Sequence, residues 1–130
     1  MPFFEKLIIL WRVISIEELK DIHTYKKLRL HEGGFEMKPF ASSYDDAHKF
    51  AKLDGLYRGK KFFIVATIIN ELDIESYQRA TVDGGIKEIC LTKDQLALVN
   101  PVILGKMPRS KTQQRLDLIK IFIYKLFSSK

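Results

Sequence analysis

The chain has one cysteine, Cys90, so no internal disulfide can staple the fold. Cys90 lies in the apolar run EICL, where a buried, reduced thiol is the simplest reading. No apolar stretch reaches the about 20 residues that a spanning helix needs. The N-terminal MPFFEKLIILW has neither a basic leader nor a small-residue cleavage site. The expectation is a soluble chain made without a Sec-type signal, which fits the cytoplasm. Histidine is scarce: His23, His31 and His48 have no helical metal-binding spacing, and no Cys-x-x-Cys completes a set, so no metal site is expected. Also missing are a Gly-x-Ser-x-Gly elbow and a Walker-type phosphate loop, since HEGGFE has no lysine and no strand-to-helix context.

What is present suits one globular unit. A chain of 130 residues, 46% apolar and 29% charged, can bury a single core and has no signature of disorder. Its net charge of +6 is unevenly placed. Residues 105 to 130 carry seven Lys and Arg against one Asp, and residues 1 to 104 are balanced. The basicity therefore belongs to a tail, which argues against a nucleic-acid face on the body of the fold. We divide the chain accordingly into a domain over 1–104 and a basic amphipathic helix over 105–130.

Hydrophobic patterning predicts helices interspersed among four or five strands, an α+β fold. KLIILWRVIS reads as a buried strand ending at Ser15. Ser15 and Glu18 then have capping-box spacing for a helix to about Tyr25 or Leu28, with Ile16, Leu19 and Ile22 or His23 inward. HEGGFE reads as a turn and KPFAS as a short strand. Ser43 repeats the cap logic with Asp46, opening a helix whose stripe is Ala47, Phe50, Ala51 and Leu53 and which Gly55 stops. KKFFIVATII is the strongest strand signal, suited to a central position covered on both faces. NELDIESYQRAT reads as a short helix or an irregular crossing, GIKEICLT as a strand after the Asp83-Gly84-Gly85 turn, and KDQLALV as a helical turn or a strand. NPVILGK closes the sheet, with Pro101 near its start. In the tail, Gln113, Asp117, Lys120 and Tyr124 mark one side of a helix and Leu116, Ile119, Ile123 and Phe127 another.

Three features remain. Arg12 lies in an apolar strand, where it must be paired or face a cleft. Ser42 and Ser43 end a second strand, and Glu88 sits in a third between Ile86 and Ile89. This Arg, Ser, Glu order resembles the pattern of the mono-ADP-ribosyltransferase fold. LWRVIS is similar to the first strand of such domains, FASSYDDAHKFAK to their Ser-Thr-Ser strand and following helix, and GGIKEICLTKDQLALVNPV to the late strand with the catalytic glutamate. The resemblance covers residues 7 to 104. It implies a small mixed or antiparallel sheet with short flanking helices, binding NAD as a substrate.

On that resemblance Glu88 is the catalytic carboxylate, stabilising the oxocarbenium-like charge that develops when the nicotinamide–ribose bond breaks. Arg12 anchors the dinucleotide phosphates with its planar fork of donors. Ser42 holds its strand or bonds the nicotinamide ribose, and Phe40 or Tyr44 stacks on the nicotinamide ring. ADP-ribose would pass to a macromolecular acceptor, protein or nucleic acid, or to water. Ile86 stands two residues before Glu88, where members that modify arginine often carry Glu or Gln, so the resemblance does not extend to arginine as acceptor.

Plainer readings stand beside these. Arg12 pairs with an acidic neighbour, Ser42 and Ser43 form a cap and turn, and Glu88 faces solvent in an alternating strand. On these readings the protein is a non-catalytic binding module, and its basic helix engages a protein, nucleic-acid or membrane partner. The favoured reading of the helix is that it packs on the sheet or, as a homodimer, on a second copy of the chain, because its aromatic and aliphatic content is high enough to serve as core.

Overall fold

The first strand, β1 (Leu7–Ser15), sets the architecture because its side chains alternate between two cores. Leu10 and Ile14 enter one core, and Trp11 with the half-buried Ile9 and Val13 enters the other. The computed structural model describes residues 6–30, 37–53, 60–82 and 85–128. After β1 the chain forms α1 (Ile16–Tyr25), β2 (Met37–Ala41), α2 (Tyr44–Leu53), β3 (Phe62–Asn70) and a 3-10 helix over Glu71–Ser76. Then follow β4 (Gln78–Val82), β5 (Ile86–Thr92), α3 (Lys93–Leu98), β6 (Val102–Lys106) and α4 (Lys111–Ser128).

The fold is α+β, as expected. The six strands among the described residues form one sheet in the order β4-β5-β2-β1-β3-β6, and every neighbouring pair is antiparallel. The sixth strand, β4, comes from NELDIESYQRAT, where the pattern suggested a helix or a crossing: the first part is the 3-10 helix and the rest pairs with β5. As its unbroken apolar run suggests, β3 is flanked by β1 and β6 and buried on both faces. The turns placed at HEGGFE and Gly55, and the first two residues of the Asp83-Gly84-Gly85 turn, lie outside the described residues.

The sheet is joined unevenly. β1 pairs with β3 along its whole length but with β2 through one residue pair, Trp11 with Ala41. Two three-stranded halves, β4-β5-β2 and β1-β3-β6, therefore meet at that point. On one face α1 and α3 cover a core of Leu10, Ile14, Phe40, Val65, Ile89 and Leu91, among others. On the other, α2 and α4 cover a core that includes Trp11, Ala41, Tyr44, Ile64, Leu104 and Ile121.

The helix α4 docks by the side that looked polar. Asp117 and Ile121 are its buried residues, and Leu116, Ile119, Ile123 and Phe127 face away from the sheet. The reason is an ion pair: Arg109 Nε and Nη2 donate to the two carboxylate oxygens of Asp117 at 3.0 and 2.7 Å. Arg109 is itself fixed, because its backbone N–H donates to the Tyr44 hydroxyl at 2.8 Å. Its guanidinium lies over Gly105, where a Cβ would come within 2.8 Å of Arg109 Cζ. Ser110 and Gln113 close a capping box at the start of the helix, each side chain accepting from the other's backbone N–H. A division of the chain at 104/105 thus falls inside β6, and α4 shares a core with the sheet.

Candidate functional site

The three motif-bearing segments, far apart in sequence, become neighbours. β5, β2 and β1 lie side by side, and one register row runs Glu88, Ala41, Trp11 across them. Residues paired directly across antiparallel strands share a face, so Glu88 points to the side of the sheet that holds α2. It is 6% exposed. The expectation that an alternating strand would turn Glu88 to solvent therefore fails, because Lys87 takes the exposed position instead. Cys90, two residues on, is buried as read from the sequence. Burial pushes its thiol pKa up, and the Glu88 charge adds to the shift.

Arg12 does not join Glu88. It shares the opposite face with Leu10 and Ile14 and is pinned there on three sides. Its Nε and Nη2 donate to Glu18 at 3.0 and 3.1 Å, and its Nη1 donates to the Pro39 carbonyl at 2.9 Å. The plainer reading of Arg12, a paired strand arginine, describes this geometry, and a phosphate anchor does not. The Pro39 bond also ties β1 to β2 where the two halves of the sheet meet.

Glu18 is the centre of a cluster that the pattern missed. In place of closing a capping box with Ser15, it turns inward and also accepts from Lys38 Nζ at 2.9 Å. Ser15 still accepts from the Glu18 backbone at 3.2 Å. Ile16, placed inward by the helical stripe, is exposed; of the alternatives Ile22 and His23 it is Ile22 that is buried, together with Glu18. Burial works to raise the Glu18 pKa, but Arg12 and then Lys38 outweigh it and hold the carboxyl below its ordinary value. Lys38 is 4% exposed. Burial lowers its pKa, and the Glu18 charge only partly restores it. Two cations on one buried carboxylate bind α1 to β1 and β2. The sequence signal for this was the lysine in the apolar run MKPFA, and it needed a partner whose position only the fold supplies.

The remaining expected contacts to a dinucleotide divide. Phe40 is 1% exposed in the α1-side core and has no free ring face for nicotinamide. Tyr44 is equally committed: Trp11 meets it edge-on at 6.3 Å, His48 stacks on it at 5.9 Å, and its hydroxyl accepts from Arg109. Neither residue is a stacking platform in this fold. Ser43 caps α2, accepting from the Asp46 backbone at 3.1 Å. Ser42 is exposed immediately past the end of β2, one residue beyond the row that holds Glu88.

Among the described residues, open cavities lie elsewhere. One, of about 440 Å³, is lined by Lys27, Arg29 and Lys93 with Leu28, Leu30 and Leu96. Its cations are largely spoken for: Lys27 donates to the Ala97 and Val99 carbonyls and to Asn100, and Arg29 donates to Asp21. Another, of about 360 Å³, lies between Ser15–Glu17 and Lys60–Phe62. Among the described residues no group of three His, Cys, Asp or Glu is placed to hold a metal ion. No family model, curated protein or solved structure matches the chain.

Proposed function

We propose that this is an ADP-ribosyltransferase-like domain that binds NAD as a substrate and uses Glu88 to cleave the nicotinamide–ribose bond. One observation carries the reading: the Arg-, Ser- and Glu-bearing segments form three adjacent strands whose register row passes through Glu88 and Ala41 and ends beside Arg12. The ADP-ribosyl group would go to a macromolecular acceptor or to water, and nicotinamide would leave.

Glu88 suits the task because a carboxylate in a desolvated setting stabilises developing positive charge on the ribose more strongly than one in water. Ser42, exposed past the end of the neighbouring strand, is the hydroxyl available to meet the ribose. Arg12 enters this reading as a positioning residue. By tying Glu18 and Pro39 together it fixes β1 against β2 and so sets the row in which Glu88 stands. Phe40 and Tyr44 serve the two cores and take no part in binding.

The test is nicotinamide release by the purified chain supplied with NAD, with Glu88→Gln alongside. The variant keeps the size and shape of the side chain, removes its charge and replaces one acceptor oxygen by an N–H donor. Turnover lost with the fold intact supports the enzyme. A non-catalytic binding module would be indifferent to the change.

A further inference from the structure

The outward side of α4 is unlike the rest of the surface. Leu116, Ile119, Phe122, Ile123, Leu126 and Phe127 are each between 49% and 77% exposed. At 3.6 residues per turn they fall on one stripe about 140° wide, opposite the Asp117 and Ile121 side that docks on the sheet. Apolar residues scattered singly over a surface are ordinary, but a continuous stripe of aliphatic and phenyl groups on one helix marks a surface made to be covered.

Charge decides what covers it. The helix carries Lys111, Arg115, Lys120 and Lys125, and its one acidic residue, Asp117, is buried and neutralised by Arg109. Lys111 borders one edge of the stripe and Arg115 lies at its N-terminal end, Lys125 lies farther round the helix, and Lys120, at the other edge, donates to the Ile103 carbonyl at 2.6 Å. A second copy of the chain would bring the same positive charges against these. A bilayer rich in anionic lipid brings the opposite sign and accepts the apolar stripe at the same time. No helix among the described residues is long and apolar enough to cross a membrane, so the matching geometry is a helix lying in the interface plane.

We infer that α4 is a docking surface for an anionic phospholipid bilayer, with its apolar stripe inserted at the headgroup boundary and Lys111, Arg115 and Lys125 toward the lipid phosphates. The inference stands apart from the chemistry of Glu88. It places the sheet with its α2 and α4 face toward the membrane, because α4 and α2 cover the same side.

The experiment is co-sedimentation of the intact chain with phosphatidylcholine vesicles made with and without phosphatidylserine, at low and high salt. Ile123→Glu and Arg115→Ser, both at exposed positions, are compared after their melting temperatures have been matched to the parent. Binding to the anionic vesicles is expected to weaken steeply with salt. It should be lost in Ile123→Glu and reduced roughly fivefold in Arg115→Ser, about one interfacial charge. Equal binding to neutral vesicles would overturn the inference, as would no binding to anionic vesicles at low salt. A dimer that Ile123→Glu dissociates, in a chain that ignores both vesicle types, would overturn it in favour of a second copy.

Discussion

At the scale of single residues, the most consequential feature is a carboxylate that serves two cations. Removing Arg12 as Ala leaves Glu18 and Lys38 buried with an ion pair stripped of its larger partner, and frees the Pro39 carbonyl. Loss of one partner from a buried, hydrogen-bonded pair costs about 3 kcal/mol, and urea denaturation of Arg12→Ala should show a loss of that order. The same cluster sets an acid limit. Glu18 has a folded pKa below its unfolded value, so its contribution is fully present above about pH 4.3, the ordinary glutamate value, and is lost as pH falls through the lower folded value. Melting temperature against pH should therefore fall on the acid side, and the slope should be shallower in Glu18→Gln, whose plateau is itself lowered by the two uncompensated cations.

The two serines separate at this scale as well. Ser43→Ala removes a cap and should cost about 1 kcal/mol, whereas exposed Ser42→Ala should leave the denaturation midpoint unchanged. Any effect of Ser42→Ala on NAD turnover would then be an effect on the site. Hydropathy marked Arg12, Ser43 and Glu88 as residues needing an explanation. It could not supply the explanation for Arg12, because Glu18 and the Pro39 carbonyl reach it from other elements, and sequence spacing carries no signal for partners that only packing brings together.

At the scale of elements, local chemistry was legible wherever a cap or a long apolar run determined the outcome. Ser15 and Ser43 start their helices, β3 is covered on both faces although it stands next to the edge strand β6, and Thr92 with Gln95 closes a capping box that resolves KDQLALV as the helix α3. Two elements were misread for the same reason, a polar group whose burial depended on a distant partner. α1 turns Glu18 inward in place of Ile16, and α4 turns Asp117 inward in place of its apolar stripe. The attachment of α4 rests on Arg109 held between Asp117, Gly105 and Tyr44. Gly105→Ala places a methyl where that guanidinium lies, and since Asp117 prevents the arginine from moving freely, a cost of about 1–2 kcal/mol is expected. Hydrogen exchange should report the loss first in α4 and β6, with β1 and β3 still protected.

At the scale of the whole molecule, the sheet order joins segments that are remote in the chain, and this is the level the sequence reading reached least. Motif spacing proposed that Arg12, Ser42 and Glu88 share one cleft. The pairing of β1, β2 and β5 places their strands together but assigns Arg12 and Glu88 to opposite faces, because residues 11 and 88, not 12 and 88, stand in the same row. A shift of one residue along a strand exchanges its faces, and hydrophobic patterning alone could not fix that register between two strands joined at a single pair. On the proposed function, the chemistry would fall to Glu88 on the α2 face, with Arg12 supporting the framework from behind. A second feature at this scale is the division of charge: residues 1–104 are balanced and the net +6 sits in residues 105–130.

The measurement that bears most directly on this account is the time course of nicotinamide release from NAD, followed by NMR over hours for the parent chain, Glu88→Gln and Arg12→Lys. The account predicts slow release by the parent, loss of release with unchanged fold in Glu88→Gln, and a reduced rate with lowered thermal stability in Arg12→Lys. Absence of nicotinamide release and of NAD binding by the folded parent at millimolar dinucleotide would contradict it.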